Sequence, residues 1–191
     1  MRDDPSERGY ASHAHPEAHN GMSAGRALKL VISEPETWLL FLAGGLIAAP
    51  ILTFAGLWGV PYLVQVHGME RSHAASFTTT MLLGFAIGGP LLGILSDRMG
   101  RRKLPYLIAA IATALLWLIF LLAGELREAA LYLLFAGIGF CSGAMIIGFA
   151  FSREVNHPGA AGTVGGVVNM SVLGFAAIQQ SGPGWGLDRH W

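Results

Sequence analysis

The residues best placed to do chemistry in this sequence are charged and come in a fixed order: Gly93-Ile94-Leu95-Ser96-Asp97-Arg98-Met99-Gly100-Arg101-Arg102-Lys103. Their chemistry is ion pairing rather than bond making. If the run is a helix end, a turn and a new helix start, its cations complement the negative end of the first helix dipole. Asp97 sits at that same end and needs a compensating charge, which Arg98, Arg101 or the amino terminus of a neighbouring helix could supply. Gly100 permits the positive backbone angle of a sharp reversal, and Pro105 falls in the first turn of the next helix, where a missing N–H costs little. A basic cluster of any order would suit a membrane-flanking loop. The ordered positions Gly93, Asp97, Arg98, Gly100, Arg101, Arg102 and Lys103 set this run apart.

Other reactive residues are sparse. His13, His15 and His19 lie in a polar stretch, Met1 to Asn20, that has the apolar centre of neither a signal peptide nor a span, and disorder is the expectation there. They lie in a tail expected to be flexible, without Cys partners, so no metal or cofactor is expected. Cys141 falls inside an apolar run and reads as a small packing residue. An intramembrane enzyme would need a nucleophile with a base, or metal ligands at helical spacing. The apolar runs contain no Asp, Glu, Lys, Arg or His, so an enzyme is not expected.

The elements that must position the charged turn follow from composition. Charged residues make up 13% and apolar residues 53% of the chain, with mean hydropathy +0.52, whereas a soluble domain is about a quarter charged. The charges are segregated, leaving five uncharged runs of spanning length: Trp38 to Val66, Ala74 to Leu95, Leu104 to Ala123, Ala129 to Phe151 and Gly162 to Ile178. An all-α membrane protein with five transmembrane helices follows, with residues 1–32 as a polar tail and interfacial linker and 33–191 as the membrane domain. Ser23 to Ile32 suits a short helix or linker at the membrane surface, and Ser33 to Glu36 reads as a capping box opening the first span. Pro50 and Pro61 predict a kink or tilt in that span.

Arg26, Lys29, Arg98, Arg101, Arg102, Lys103 and Arg153 fall on one side, and Arg71, Arg127 and Arg189 on the other. The positive-inside rule places the amino terminus in the cytoplasm. Gly84 with Gly88, Gly89 with Gly93, Gly139 with Gly143 and Gly162 with Gly166 recur at spacing four, which predicts close helix packing. A net charge of zero excludes a strongly basic, nucleic-acid-binding surface.

The Gly93 to Lys103 run resembles the signature that the major facilitator superfamily carries between the second and third helices of each six-helix half. Phe54 to Val66, with Trp58, Gly59, Pro61 and Tyr62, resembles the outer part of that family's seventh helix. Phe151 to Met170, with Arg153-Glu154-Val155-Asn156, Gly162-Thr163, Gly165-Gly166 and Asn169-Met170, is similar to its tenth-to-eleventh connector and the start of the eleventh helix, especially in organic-anion and sugar-phosphate-like permeases. The resemblance implies most of one six-helix half-bundle of a secondary transporter for a small solute or organic anion, with alternating access and a latch role for Asp97 and Arg98. It further implies a multi-pass protein of a bacterial inner (plasma) membrane and a partner amino-terminal six-helix half. Two departures suggest truncation. The end from Gly186 to Trp191 looks like an external turn before an absent sixth helix, and Ser181 to Gly186, with Pro183, reads as broken. Trp58, Tyr62, Gln65 and Asn169 are the substrate-cavity candidates, with the Thr78 to Thr80 run and Gln179 beside them. A fragment of this kind is expected to be inactive alone. The alternative is a structural or regulatory membrane subunit, or one half of a split transporter.

Overall fold

The computed structural model describes residues 22–124 and 126–188. The histidine-bearing tail and the last residues, Arg189 to Trp191, lie outside the described residues, as does Glu125. Everything regular among the described residues is helical: α1 (Ala24–Ser33), α2 (Pro35–Thr53), α3 (Gly59–His67), α4 (Arg71–Met99), α5 (Lys103–Leu122), α6 (Glu128–Ser142), α7 (Met145–Val155) and α8 (Ala161–Asp188). Five continuous stretches are long and apolar enough to cross a membrane: Pro35–His67, Arg71–Met99, Lys103–Leu122, Glu128–Val155 and Pro158–Ser181. Each matches one uncharged run. All but the third extend past the run at both ends, because charged and polar residues are tolerated where a helix leaves the hydrocarbon.

The first span starts differently from the expected capping box. Glu34 is extended and precedes Pro35 at the helix start, with no side chain capping it. Ser33 belongs to α1 and donates its hydroxyl to the Lys29 carbonyl at 2.7 Å. The residue before a proline is driven out of the helical region, so Pro35 moves the break to Glu34 and leaves Ser33 behind it. The expected irregularity near Pro50 and Pro61 takes the form of a π turn, Phe54–Trp58, joining α2 to α3. Gly59 N–H donates back to the Phe54 carbonyl, an i to i−5 bond that widens the helix just before Pro61 removes a donor. The fourth span is also interrupted, at Gly143 and Ala144 between α6 and α7.

The closest packing is between α4 and α6 and between α2 and α8. Along the first crossing, a side chain at Gly84 or Gly88 would strike the backbone at Ala136 or Phe140, and one at Gly139 would strike that of Met81. Gly143 faces the backbone of Gly88 and Gly89 in the same way. Backbones come this near only where the residues are that small. The Gly162 and Gly166 pair behaves otherwise, because nothing lies within 4 Å of a side chain built at either. The stripe that α8 buries is Val164, Val168 and Val172, and the two glycines lie away from it.

Phe77, Phe120, Phe135, Met81, Leu131 and Ile138 form the larger core cluster, and Leu40, Ile47, Tyr106, Ala109 and Ile147 form a second. The outer surface carries large apolar side chains such as Leu39, Leu83, Leu121, Leu133 and Ile178. That inversion suits hydrocarbon, where backbone groups are satisfied inside helices and side chains need no water. At the carboxy-terminal end, the break expected at Ser181 to Gly186 is absent. The backbone stays helical to Asp188, as membrane helices can through Gly and Pro.

Candidate functional site

The ordered basic turn closes one end of the bundle. Gly100 ends α4 with φ of 59°, and its N–H donates to the Asp97 carbonyl at 3.1 Å. Arg102 then reaches back across the turn. Its Nη1 pairs with Asp97 and donates to Ser96 Oγ at 3.3 Å, while its Nε donates to Glu154 Oε1 at 2.8 Å. Ser96 in turn donates to the Arg101 carbonyl at 3.1 Å. The charge that compensates Asp97 is therefore Arg102, and not Arg98, Arg101 or a helix amino terminus. Of the turn's arginines, Arg102 reaches the carboxylates at both the end of α4 and the end of α7, and its planar guanidinium serves the two together. The Asp97 bond first, and then the Glu154 bond, hold the Arg102 pKa above its ordinary value. Arg98 and Arg101 are exposed, and their side chains have no hydrogen-bond or ion-pair partner among the described residues. Gly93 makes only an ordinary contact with the Ile146 side chain.

Two further links join this end. Lys103 Nζ donates to Glu36 Oε1 at 3.2 Å and lies 5.8 Å above the Phe151 ring. Asn156 Nδ2 donates to Thr37 Oγ1 and to the Ser152 carbonyl, both at 2.9 Å. Together these contacts bind the start of α2, the end of α4, the start of α5 and the end of α7. Glu36, Thr37, Glu154 and Asn156 were not singled out from sequence as partners of the turn. The usable signal was Glu154, an acidic residue at the end of the fourth span on the same side as the seven cations.

The opposite end is held more lightly. His73 Nε2 lies 2.9 Å from Glu128 Oε1, Ser76 and Tyr132 share a hydrogen bond at 2.6 Å, and the Tyr132 ring stacks on Phe77. Glu70 caps α4 by accepting from the Ser72 N–H at 3.3 Å and from its hydroxyl, and these bonds lower its pKa.

Within the membrane part, Trp58 lines a cavity of about 420 Å³ with Pro50, Thr53, Phe54, Trp117 and Gln179. The Nε1 atoms of Trp58 and Trp117 are buried without a partner. Tyr62 lines a separate cavity of about 500 Å³ with His67, Phe120 and Leu131, and its ring meets Phe54 at 6.1 Å and Phe120 at 5.8 Å. Both aromatic residues thus flank Phe54. Gln65 and Asn169 are exposed and line neither cavity, so the structure does not gather the four candidates into one site. The hydroxyls of Thr78, Thr79 and Thr80 donate to carbonyls of their own helix, at Ala75 and Ser76. Among the described residues, no group of three His, Cys, Asp or Glu comes together to hold a metal ion.

The sequence matches the family model described as Major Facilitator Superfamily over residues 2–178. No curated protein matches the chain.

Proposed function

The chain belongs to the major facilitator superfamily, whose members are transporters, and from that premise we propose that it forms most of the carboxy-terminal half of a secondary transporter for a small solute. The strongest support is the charged turn, in which Arg102 joins Asp97 to Glu154 and so welds three helix ends into one body. Alternating access needs such a body, since halves rock around a central site as near-rigid units. Arg98, free of partners among the described residues, is then available to meet a second half, and with Asp97 it forms the moving face of a latch that stabilises one access state.

The solute site lies near the two interruptions, the π turn Phe54–Trp58 and the break at Gly143 and Ala144. Interrupted helices free backbone groups at membrane depth, and transporters use them to line binding sites. Trp58 is therefore the first candidate for solute contact, with Tyr62 one turn further along. Gln65 and Asn169, both exposed, would contribute only across the interface with the other half. The solute is a small molecule such as an organic anion. Because the apolar runs within the spans, from Trp38 to Val66, Ala74 to Leu95, Leu104 to Ala123, Ala129 to Phe151 and Gly162 to Ile178, carry no charged side chain, any coupling proton or paired charge belongs to the partner half. The amino terminus and the basic turn face the cytoplasm, an orientation that the arginine and lysine bias supports, and the membrane is a bacterial inner (plasma) membrane.

Uptake into vesicles containing a parent with both halves tests this. Asp97→Ala should lower transport while insertion stays intact, and liposomes holding the 191-residue chain alone should show no flux. Undiminished uptake by the Asp97 variant removes the latch, and flux from the chain alone removes the need for a partner half.

A further inference from the structure

At the end of the bundle that carries the basic turn, α1 is anchored by two side chains. Ala27 and Val31, one turn apart, are buried against Ala160, just before α8, and Val164 in its first turn. Trp38 Nε1 donates to the Ile32 carbonyl at 2.8 Å, fastening the last turn of α1 to the first turns of α2. The rest of the helix is uncovered. Leu28 and Ile32 form an exposed apolar strip on one flank of the buried face, and Leu30 lies exposed on the other. Arg26 and Lys29 project from the side away from Ala27 and Val31, exposed and without a side-chain partner among the described residues.

A ten-residue helix is too short to persist in water on its own, so the environment must supply what two buried side chains do not. Water would leave three large apolar side chains exposed. A surface that offers hydrocarbon beside anionic groups satisfies Leu28 and Ile32 together with Arg26 and Lys29. The exposed Trp38 ring at the same level is of the type that favours such a boundary. We infer that α1 is a docking element for anionic phospholipid, with Leu28 and Ile32 among the acyl chains and Arg26 and Lys29 on the phosphate headgroups. Because α1 grips the start of α8, headgroup binding there would also stiffen the entry of the fifth span. The inference does not depend on what the protein transports.

Hydrogen exchange of the intact chain in nanodiscs tests it, comparing phosphatidylcholine alone with phosphatidylcholine plus phosphatidylglycerol. Each cation near an anionic surface contributes roughly a fivefold change, so α1 amides should exchange at least about fivefold more slowly with phosphatidylglycerol present. Arg26→Gln with Lys29→Gln should abolish that dependence, whereas Arg26→Lys with Lys29→Arg should keep it, as should Arg71→Gln with Arg127→Gln at the other end. The inference fails if α1 exchange is the same in both lipids, or if the double Gln variant still responds. It fails equally if that variant already exchanges faster in phosphatidylcholine alone, or if inorganic phosphate added to phosphatidylcholine discs protects α1 as well as the lipid does.

Discussion

Arg102 Nε donates to Glu154 Oε1 at 2.8 Å, linking the turn before α5 to the last turn of α7 across 52 residues of chain. The same guanidinium holds Asp97, so it opposes two carboxylates from two different helix ends. Both acceptors are half exposed or more, which keeps each pair in the range of surface ion pairs. Arg102→Ala should therefore cost roughly 1 kcal/mol and lower the thermal midpoint in detergent by a few degrees. Arg102→Lys should recover only part of this, because a single ammonium lacks the planar fork. A midpoint unchanged in Arg102→Ala would show that the helix ends are held by the Lys103 and Asn156 links instead.

The α4 and α6 backbones approach too closely for any side chain at Gly139, where a new methyl would meet the Met81 and Phe85 backbone. Backbone cannot swing aside as a flexible side chain does. Gly139→Ala should therefore destabilise the bundle by about 1–3 kcal/mol, read from denaturant unfolding in detergent. Gly166→Ala, facing open space, should stay within about 0.5 kcal/mol of the parent. Equal effects from the two changes would contradict the packing.

Much of this architecture is legible in the sequence, and the parts that are not have a common cause. Span positions follow from where charge is absent, because the cost of burying a charge is local and large. Glycine spacing identifies close packing at Gly84, Gly88, Gly139 and Gly143, yet the same spacing at Gly162 and Gly166 marks no contact, since spacing fixes a helix face and not what covers it. Asp97 plainly needs a cation, but the choice of Arg102 over Arg98 or Arg101 depends on where α7 ends, which is a tertiary fact. Trp58 and Tyr62, one turn apart across the end of the π turn, both flank Phe54 but line separate cavities. Gln65 and Asn169 stay apart because no local rule links different spans.

The Glu70 carboxyl has its pKa lowered by the Ser72 hydroxyl and N–H that it accepts from at the start of α4. A carboxylate with a lowered folded pKa stabilises the fold above its unfolded pKa, and that contribution disappears as pH falls through the lower folded value. The thermal midpoint of the parent should therefore exceed that of Glu70→Gln near neutral pH, with the difference vanishing under acid conditions below the ordinary carboxylate range. A difference that persists in acid would mean that the side chain acts through packing and not as a charged cap.

Trp58 and Trp117 bring two buried indole N–H groups to one cavity, and neither has an acceptor among the described residues. A buried donor without a partner costs about 1–3 kcal/mol of lost hydration, so removing the N–H offsets part of the apolar area lost with the smaller ring. Trp117 also packs edge-on against Phe54 at 5.4 Å, a contact that a phenyl ring can keep. Trp58→Phe and Trp117→Phe should thus each change the unfolding free energy of the chain by no more than about 1 kcal/mol, while Trp58→Ala, which removes the whole of a half-buried ring, should cost about 2–3 kcal/mol. If the Phe variants lose as much as the Ala variant, the indole nitrogens have acceptors in the folded protein.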